Sequence, residues 1–378
     1  MKITIVQGAF LPVPPLRGGA IEKIWFALGP EFVRRGHEVA HLSRSFPGLP
    51  NEEHLGGVRH LRVRGHEAPR SLFTLKIYDL LYSLRVLRKL PPADVIVTNT
   101  FWLPMLLRHE RFGRVYVHVA RYPRGQLRFY GHAARLQTVS RVIREAMIAE
   151  APQLAERIRS IPNPVVRNLA PPPPVPRRRE ILFVGRIHPE KGIQLLIDGF
   201  RRLPAEVRGD WRLRIVGPAE ANAGGGGEAF AAELKQLARP LGDRVEWVGS
   251  VFDPVKLDEY YARASLFVYP SIAERGETFG VAPLEAMACG CPPLVSKLAC
   301  FGEFLDEDVN GFVFDHRATD PVQALADRLT SLLRDPEQLA QTGIRARERA
   351  DDFSVERIAS AYLADFQSLG RPPHIPAA

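Results

Sequence analysis

Short runs of β-branched and other apolar residues alternate with helix-like segments along this chain of 378 residues. Ile3–Gly8, Val58–Val63 and Leu266–Tyr269 are examples of the runs, and segments with a helical period separate them. Such alternation is typical of βαβ units, in which helices cover a buried parallel sheet. The sequence therefore predicts an α/β protein built on parallel sheets.

The element boundaries follow from the same pattern. In the first half, strands are predicted at Ile3–Gly8, Glu38–Leu42, Val58–Val63, Asp94–Thr98, Val115–Val119, Leu136–Val139 and Ile158–Ile161, and helices at Ala20–Arg35, Ser71–Leu90 and Ser140–Glu150. In the second half, strands are predicted at Ile181–Val184, Arg212–Val216, Val245–Val248, Leu266–Tyr269, Pro293–Ser296 and Phe312–Phe314, and closing helices at Pro321–Leu333, Pro336–Ala350 and Val355–Leu369. Because proline lacks a backbone donor and clashes with the preceding turn, Pro30 is expected to kink or break the first helix.

A proline-rich segment, Ala170–Arg179, separates the two halves. Its composition is typical of a stiff, extended connector. We therefore expect two domains, residues 1–168 and 169–354, each of ordinary size. The glycine run Gly224–Gly227 is expected to be a flexible loop before a helix.

The basic residues are concentrated in the first half. Residues 1–168 contain 26 Lys and Arg against 12 Asp and Glu, whereas residues 169–378 contain 25 against 30. The asymmetry indicates an anionic partner such as a membrane, a phosphorylated acceptor or nucleic acid. A basic surface that only aids solubility explains it equally well. Nucleic acid is the least favoured partner, because no recognition motif accompanies the basic residues.

Cysteine usage and hydropathy indicate the compartment. The three cysteines, Cys289, Cys291 and Cys300, are too few and too poorly spaced for a metal site, so reduced thiols are expected. The sequence has no apolar run long enough to span a membrane and no signal-peptide pattern at its start. We expect a cytoplasmic protein.

The segment Glu277–Gly290 carries two carboxylates in apolar surroundings. From Gly280 it has the pattern of a short buried helix. Burying an unpaired carboxylate costs several kcal/mol, so Glu285 needs a partner, and the cations near Arg186 are expected to supply it. Amides at a helix start bind anions, and Glu277 lies just before them. Amides for a phosphate and carboxylates for hydroxyls predict a nucleotide-sugar site.

Two cations follow the first strand of the second half. Arg186 and Lys191 flank a turn just after Gly185, where the strand ends. Ligands of open α/β sheets bind beyond the carboxyl ends of strands. An arginine fork and a lysine point charge together suit a diphosphate.

The first half offers weaker candidates. Gly18 and Gly19 precede a helix, where their amides can approach a phosphate or sugar closely. His118 ends an apolar strand, a position at which a structural role is more common than a binding role. Arg121 and Arg124 follow it closely.

The predicted helix at Ser71–Leu90 combines dense apolar positions with cations. Packing against the sheet is the first interpretation. Contact with a membrane surface is the second.

Seven segments occur in this order along the chain: Gly18-Gly19 with Glu22, Arg35–Val39, Ile161–Pro164, Val184–Gly192, Tyr269–Ser271, Glu277–Gly290 and Asn310–Val313. As an ordered set that covers nearly the whole chain, they resemble the family 4 retaining glycosyltransferases. The resemblance implies a GT-B fold, with two Rossmann-like doubly wound domains facing across a cleft. The C-terminal domain would bind a nucleotide-sugar donor and the N-terminal domain the acceptor. Helix Val355–Leu369 would return to the first domain.

The resemblance also implies roles for matching residues. Arg186 and Lys191 match ligands of the diphosphate, and Glu285 matches the carboxylate that binds the ribose. Further donor-binding matches are Glu277 at the sugar hydroxyls, the helix-start amides of Phe279, Gly280 and Val281, the loop residues Gly18 and Gly19, and Val251 at the base. His118 matches a cleft histidine, so the expected catalytic group is Glu277, His118, Arg186 and Lys191. Arg121 and Arg124 are expected on the acceptor side.

Two departures from the family pattern matter. An insertion before the first motif carboxylate adds Glu274, so the alignment of Glu277 rests on its spacing from Glu285. No Asp-x-Asp motif is placed at a strand end. Cations and amides would then do the work of a metal, so we expect neither a metal nor another cofactor.

The resemblance implies transfer of a sugar, with retention of configuration, from a nucleoside-diphosphate sugar to an acceptor hydroxyl in cell-envelope polysaccharide or glycolipid synthesis. With the basic first half, it leads to an anionic, lipid-linked acceptor and to peripheral contact with the inner face of an anionic membrane. An epimerase or a phosphorylase of the same fold is the alternative, followed by a non-catalytic nucleotide-sugar-binding protein. The base, the sugar and the acceptor stay open.

Overall fold

A computed structural model describes residues 1–69, 71–167 and 176–370. The chain divides into two compact units. Unit 1 consists of residues 1–166 and the segment that begins at Val355, and unit 2 is Arg167–Ser354. Each unit has one predominantly parallel sheet covered by helices, which confirms the predicted α/β class. Residues 170–175 of the proline-rich segment lie outside the described residues.

Unit 1 contains an eight-stranded sheet. Its strands are β1 (Lys2–Val6), β2 (Glu38–Arg44), β3 (Glu52–Leu55), β4 (Val58–Val63), β5 (Val95–Thr98), β6 (Arg114–Val119), β7 (Arg135–Thr138) and β8 (Ile158–Ser160). Its first helices are α1 (Ala20–Arg34), α2 (Leu72–Lys89), α3 (Leu103–Leu106) and α4 (Arg141–Glu150). The spatial order is β3-β4-β2-β1-β5-β6-β7-β8, and every pair except β3 with β4 is parallel.

Strand β3 is an element that the sequence did not predict. It pairs antiparallel with β4, and Leu55 lies opposite Val58 across a turn of two glycines. Gly56 and Gly57 both have positive φ, 57° and 78°, which a tight hairpin turn requires. The strand is mostly polar and none of its residues is buried, so it lacks the apolar run by which the other strands were recognised.

Helix α1 runs without a break through Pro30, so the expected break is wrong. Its buried face holds Trp25, Leu28 and Phe32 against the sheet. Gly29 lies close to this sheet, because a Cβ there would come within 3.1 Å of Val58 Cγ2. Tertiary packing of this face outweighs the loss of one helical hydrogen bond.

Unit 2 contains a six-stranded parallel sheet. Its strands are β9 (Arg178–Val184), β10 (Arg212–Val216), β11 (Val245–Gly249), β12 (Ala264–Tyr269), β13 (Pro293–Ser296) and β14 (Phe312–Phe314). Its helices are α5 (Ile193–Arg202), α6 (Ala205–Arg208), α7 (Glu228–Ala238), α8 (Pro254–Arg263), α9 (Val281–Ala288), α10 (Pro321–Leu333) and α11 (Pro336–Ala350). The spatial order is β11-β10-β9-β12-β13-β14.

The glycine run before α7 is tied to its neighbours by backbone hydrogen bonds. The amide of Gly226 donates to the carbonyl of Ile187 at 2.8 Å, and the amide of Gly227 donates to Ala219 at 2.8 Å. The run is a loop directly before helix α7, as predicted. The run folds onto the turn that follows β9.

The last helix, α12 (Val355–Ser368), belongs to unit 1. Tyr362 and Phe366 are buried in the core that contains Trp25 and Tyr116. Asp365 accepts a hydrogen bond from the Tyr116 hydroxyl at 2.8 Å and forms an ion pair with Arg135 at 2.8 Å. Apolar burial and a partly buried polar network together hold α12 in place. Among the described residues, no helix is long and apolar enough to cross a membrane.

Candidate functional site

The strand order of unit 2 locates a candidate site. Connections run from β9 outwards to β10 and β11 on one side, and from β12 to β13 and β14 on the other. The direction therefore reverses between β9 and β12. In open α/β sheets, ligands bind in the crevice beyond the carboxyl ends of strands at such a reversal. The loops that follow β9 and β12 carry Arg186, Lys191 and Glu277.

Lys191 and Glu277 form an ion pair at this position, with Nζ 2.8 Å from Oε2. Only 8% of the lysine side chain and 11% of the glutamate side chain are exposed. Burial alone lowers the pKa of Lys191, but attraction by Tyr269 and Glu277 outweighs it and raises the pKa above its usual range. Lys191 is therefore a permanent cation held in one place.

The turn that carries Lys191 approaches the β12 loop closely at Gly192. This residue has φ 66°, and a Cβ there would lie 1.9 Å from the carbonyl oxygen of Pro270. Only glycine combines this backbone conformation with this approach. The glycine thus brings the cation-bearing turn against the loop that leads to Glu277.

Arg186 lies on the same turn and is 44% exposed. Its guanidinium pairs with Glu190 at 2.6 Å and donates to the carbonyl of Gly224 at 2.7 Å. Glu190 Oε1 also lies 3.9 Å from Lys191 Nζ, so one carboxylate faces both cations. An incoming dianion has the charge to compete with Glu190 for Arg186.

Helix α9 begins beside these groups. Its N-cap is Gly280, with φ 92°, and a Cβ there would lie 2.5 Å from a ring carbon of Phe301. The side chain of Phe279 is buried, with its ring centroid 5.4 Å from that of Phe304. Phe279 can therefore offer a ligand only its backbone, as the predicted role of the helix-start amides requires. Val281 is the first residue of the helix.

Glu285, on the buried side of α9, has a partner that the sequence did not predict. Its Oε2 lies 2.9 Å from Nη2 of Arg167 and accepts a hydrogen bond from the Tyr261 hydroxyl at 3.2 Å. The expectation that cations near Arg186 pair with Glu285 is wrong, because Arg186 pairs with Glu190. Arg167 lies three residues after the Ile161–Pro164 segment and belongs to none of the motifs, so no sequence signal marked it.

The inserted carboxylate Glu274 has separate partners. It binds the guanidinium of Arg317 at 2.7 Å through both oxygens and lies 2.9 Å from His316 Nε2. The hydrogen bonds from Arg317 lower its pKa most, burial opposes them in part, and the hydrogen bond with His316 lowers it further. The structure therefore brings Glu277, and not Glu274, to Lys191.

Val251 lies two residues beyond the end of β11, in the loop that leads to α8. Its side chain is partly buried, and that of Phe252 next to it is 61% exposed. The position is at a carboxyl strand end, as predicted, but within the described part of the chain no hydrogen bond or ion pair joins it to the Lys191 pair. Its assignment to a base stays a prediction.

In unit 1, two of the candidates lie beyond strand β1. Gly18 and Gly19 have φ 75° and 94°, and α1 begins at the next residue. A Cβ on Gly19 would lie 2.2 Å from a carboxylate oxygen of Glu22. Both positions therefore require glycine, for backbone conformation or for space.

His118 is buried on β6, with its ring edge against Trp25 at 5.6 Å between centroids. Its Nδ1 lies 2.5 Å from Oε1 of Gln137. Burial lowers the pKa of His118 to about 4, and the hydrogen bond to Gln137 opposes this shift only in part. The ring is neutral at pH 7, with Nδ1 donating to Gln137. Nε2, which is left as an acceptor, is buried and has no partner among the described residues.

Arg121 and Arg124 follow β6 in the same unit, and both are exposed. The pKa of Glu22 is raised by burial, and attraction by Arg121 counters part of that shift. Arg121 is therefore close enough to Glu22, in the first turn of α1, to interact with it electrostatically. Among the described residues, no hydrogen bond or ion pair joins Arg124 to Glu22 or to the two glycines.

The described residues contain no cluster of three or more His, Cys, Asp and Glu side chains that could hold a metal ion. The three cysteines are free thiols in buried positions. Burial raises the pKa of Cys289 to about 11 and that of Cys291 to about 12. These thiols are protonated at pH 7 and unreactive.

Comparison with known proteins relates the chain to glycosyltransferases. Residues 168–349 match the family described as glycosyl transferases group 1. The lipopolysaccharide core biosynthesis mannosyltransferase LpsB of Rhizobium meliloti is 30% identical over 201 residues, which are 52% of this chain and 53% of that protein. The chain thus spans about half the length of the curated relatives it matches in this way.

Solved structures match over the whole length. Sucrose-phosphate synthase of Thermosynechococcus elongatus has a TM-score of 0.80 at 22% identity, covering 98% of this chain and 99% of that one. HepE of Anabaena, in complex with UDP-glucose, has a TM-score of 0.72 at 20% identity, covering 97% and 100%. These likenesses show a GT-B fold. The family match over residues 168–349 shows that this part of the chain is similar to the glycosyl transferases group 1.

Proposed function

We propose that the protein is a retaining glycosyltransferase that moves a sugar from a nucleoside-diphosphate sugar to an acceptor hydroxyl. One observation carries the proposal. The buried Lys191–Glu277 pair lies at the point where the strand order of unit 2 reverses, beside the glycine-capped start of α9. Cation, amides and carboxylate there suit a phosphate and a sugar hydroxyl at once.

In this mechanism, Arg186, Lys191 and the helix-start amides stabilise charge on the leaving diphosphate. Such preorganised groups are often the largest catalytic contribution. Glu277 orients the donor sugar by accepting from its hydroxyls and is not a nucleophile. The acceptor oxygen bonds to the anomeric carbon on the same face from which the diphosphate leaves. The bond from that carbon to the phosphate oxygen breaks, and an oxygen of the leaving phosphate takes the hydroxyl proton, so the configuration is retained.

The proposed chemistry needs no metal. Lys191 and Arg186 supply two positive charges close to the helix start, which is the charge that a divalent ion provides elsewhere. Turnover in excess EDTA is expected to equal turnover with added Mg²⁺ or Mn²⁺. Loss of turnover in EDTA that metal restores would contradict this point.

A thermal-shift panel tests donor binding. The panel consists of UDP, GDP and ADP with their glucose and mannose derivatives. Nucleotides of one base should raise the melting temperature, and those of the other two bases should not. The UDP-glucose complex of the Anabaena neighbour makes UDP the first candidate. Ligand at about 100 times its Kd adds about 2.7 kcal/mol to the apparent stability. If no member shifts the melting temperature, the donor assignment is wrong.

Turnover assays distinguish the alternatives of the same fold. Donor incubated without acceptor should stay intact, and with inorganic phosphate it should give no sugar 1-phosphate. An epimer would indicate an epimerase, and a sugar 1-phosphate a phosphorylase. NMR of the product with acceptor present should show the anomeric configuration of the donor.

We also propose that unit 1 docks on an anionic membrane that bears the acceptor. Helix α2 supports this proposal with an outward apolar stripe, Phe73, Ile77, Leu81 and Leu84. Steps of four, four and three residues place them on one helix face. The opposite face is buried through Asp79, Tyr82, Ser83 and Val86, which agrees with the first interpretation of this helix, packing against the sheet. Basic residues outnumber acidic ones by 26 to 12 in residues 1–168, which suits an anionic surface.

Vesicle co-sedimentation tests the docking. Vesicles with anionic phosphatidylglycerol should bind the protein more strongly than neutral ones, and salt should weaken the binding. The double variant Phe73→Ser with Ile77→Ser should lose most of it. Ile344→Ser changes an apolar side chain of unit 2 that is 54% exposed, and it should bind like the parent. Equal binding of all three proteins would contradict the proposal, as would indifference to lipid charge.

A further inference from the structure

The two oxygens of Glu285 have different surroundings. Oε2 is held by Nη2 of Arg167 at 2.9 Å and by the hydroxyl of Tyr261 at 3.2 Å. Oε1 accepts no hydrogen bond from a described residue, and it is not fully buried. One oxygen is therefore fixed inside the protein, while the other stays open to a donor from outside.

Arg167 is itself held from several directions. Its side chain is 3% exposed, and Nη1 binds Asp258 and lies 3.4 Å from the carbonyl oxygen of Pro254. The guanidinium carbon lies 5.0 Å from the centre of the Tyr261 ring. The planar fork therefore joins two positions on α8 to Glu285 on α9. A lysine has no fork with which to hold two carboxylates in fixed directions.

A carboxylate on a helix retains several side-chain rotamers unless something selects one. The Arg167 fork and the Tyr261 hydroxyl select a rotamer in which Oε2 points inwards. A group that must recognise a hydroxyl gains from this selection, because the ordering is complete before the ligand arrives.

We propose that Arg167 is a positioning residue that aims Glu285 Oε1 at a ribose hydroxyl of the donor nucleotide. This inference rests on the proposed function of unit 2 as the nucleotide-sugar domain. Arg167 does not touch the ligand. It acts through Glu285, so its removal should abolish recognition of the ribose hydroxyls while recognition of the phosphates persists.

The experiment compares three probes on each variant by calorimetric titration. They are the nucleoside diphosphate that gives the largest thermal shift among UDP, GDP and ADP, its 2′,3′-dideoxy analogue, and its monophosphate. The ratio of the first two affinities measures hydroxyl recognition. The ratio of the first and third measures phosphate recognition, which depends on Arg186 and Lys191. The proteins are the parent, Glu285→Gln, Arg167→Met, Arg167→Lys and Arg177→Met.

The parent should prefer the full ribose by about 10- to 100-fold, the range for a hydrogen bond to a charged acceptor. This preference should fall to a few-fold in Glu285→Gln and equally in Arg167→Met. Phosphate recognition should stay at the parental ratio in both. Arg167→Lys keeps the buried charge and should fold even if Arg167→Met does not, and its hydroxyl preference should also be reduced.

Arg177→Met is the matched control. Arg177 donates to the carbonyls of Tyr261, Ala264 and Cys289, near the same two helices, but does not touch Glu285. It should lower the melting temperature and keep the full hydroxyl preference. If both Arg167 variants keep the parental hydroxyl preference, Arg167 has only a structural role and the inference is wrong. An equal loss of hydroxyl preference in Arg177→Met would also overturn it.

Failure of the proposed function gives a different result. If no nucleoside diphosphate binds the parent, the donor assignment itself is wrong. If the parent binds and Glu285→Gln retains the hydroxyl preference, the ribose contact belongs to another residue, and the inference about Arg167 falls while donor binding stands.

Discussion

Two carboxylates eight residues apart acquire different environments in this protein. Glu277 pairs with Lys191 on the turn after β9, and Glu285 pairs with Arg167, which precedes β9. Each buried carboxylate thus has a cation at hydrogen-bonding distance, as the cost of burying charge requires. The sequence predicted that Glu285 needs a partner. It did not predict which cation, because pairing depends on tertiary distances that spacing does not encode.

Replacing Glu277 by Gln should lower kcat about 100-fold, because the donor sugar loses the charged acceptor that orients it. Release of the nucleoside diphosphate at saturating donor measures this. Glu274→Gln changes a carboxylate on the same loop that pairs with Arg317 instead. It should keep the parental kcat and lose at most about 1 kcal/mol of stability, because its ion pair is half exposed. Parental kcat in Glu277→Gln would refute the assigned role.

Replacing Gly280 by Ala should destabilise the protein by about 1–3 kcal/mol, because φ is 92° and the added Cβ meets the Phe301 ring. Distortion of the helix start should weaken nucleoside diphosphate binding as well. Urea unfolding and a thermal shift with the diphosphate measure the two effects. The control is Gly302→Ala, where a Cβ meets nothing within 4 Å, and its unfolding should be parental. Parental behaviour of Gly280→Ala would contradict the helix-start assignment.

At the scale of elements, the strands and helices with local sequence signals were predictable, whereas β3 and the continuity of α1 were not. Strand β4, strand β10 and helices α10 and α11 have the predicted boundaries. They are bounded by turn residues or begin with an N-terminal proline, which are local signals. Strand β3 and the unbroken α1 depend on hairpin pairing and core packing, which are not local. The hydrogen bond from Gly226 in the run before α7 to Ile187 also depends on tertiary contact, so it was not predicted.

Strands β2 and β4 bury a histidine pair that makes stability depend on pH. His41 lies opposite His60 in the parallel register, with ring centroids 5.2 Å apart. Burial, and Arg62 nearby, lower the pKa of His60 to about 4, and burial lowers that of His41 well below its usual range. The unfolded chain takes up these protons below pH ~6.5, but the native state does not. Stability that is present above pH ~6.5 is therefore lost as the pH falls towards 4.

The variant His60→Gln should lessen this loss by about 1.4 kcal/mol per pH unit, the linkage slope of one group. Urea unfolding at several values between pH 7 and pH 4.5 measures the slope. His54→Gln, which replaces an exposed histidine on β3, should keep the parental slope. A parental slope in His60→Gln would show that this ring does not titrate as its burial implies.

At the scale of the molecule, unit 1 depends on a helix that follows unit 2 in the chain. Replacing Phe366 by Ala should destabilise unit 1 by about 3–5 kcal/mol, because its ring is buried in the core beside Phe32 and Tyr116. Hydrogen exchange should show the loss in β1 and β6 and leave β9 and β12 protected as in the parent. Gln367→Ala, an exposed position on the same helix, is the control. Uniform loss of protection in both units would contradict the division.

The same feature fixes the order in which a ribosome can complete the two units. Unit 2 is one continuous stretch, Arg167–Ser354, so all its strands have emerged before α12 is made. The apolar surface of α1 and β1 must wait for Tyr362 and Phe366, although it is synthesised first. The usual order, in which the N-terminal domain folds first, is thereby reversed. During translation, the nascent N-terminal unit offers chaperones the surface that α12 will later cover.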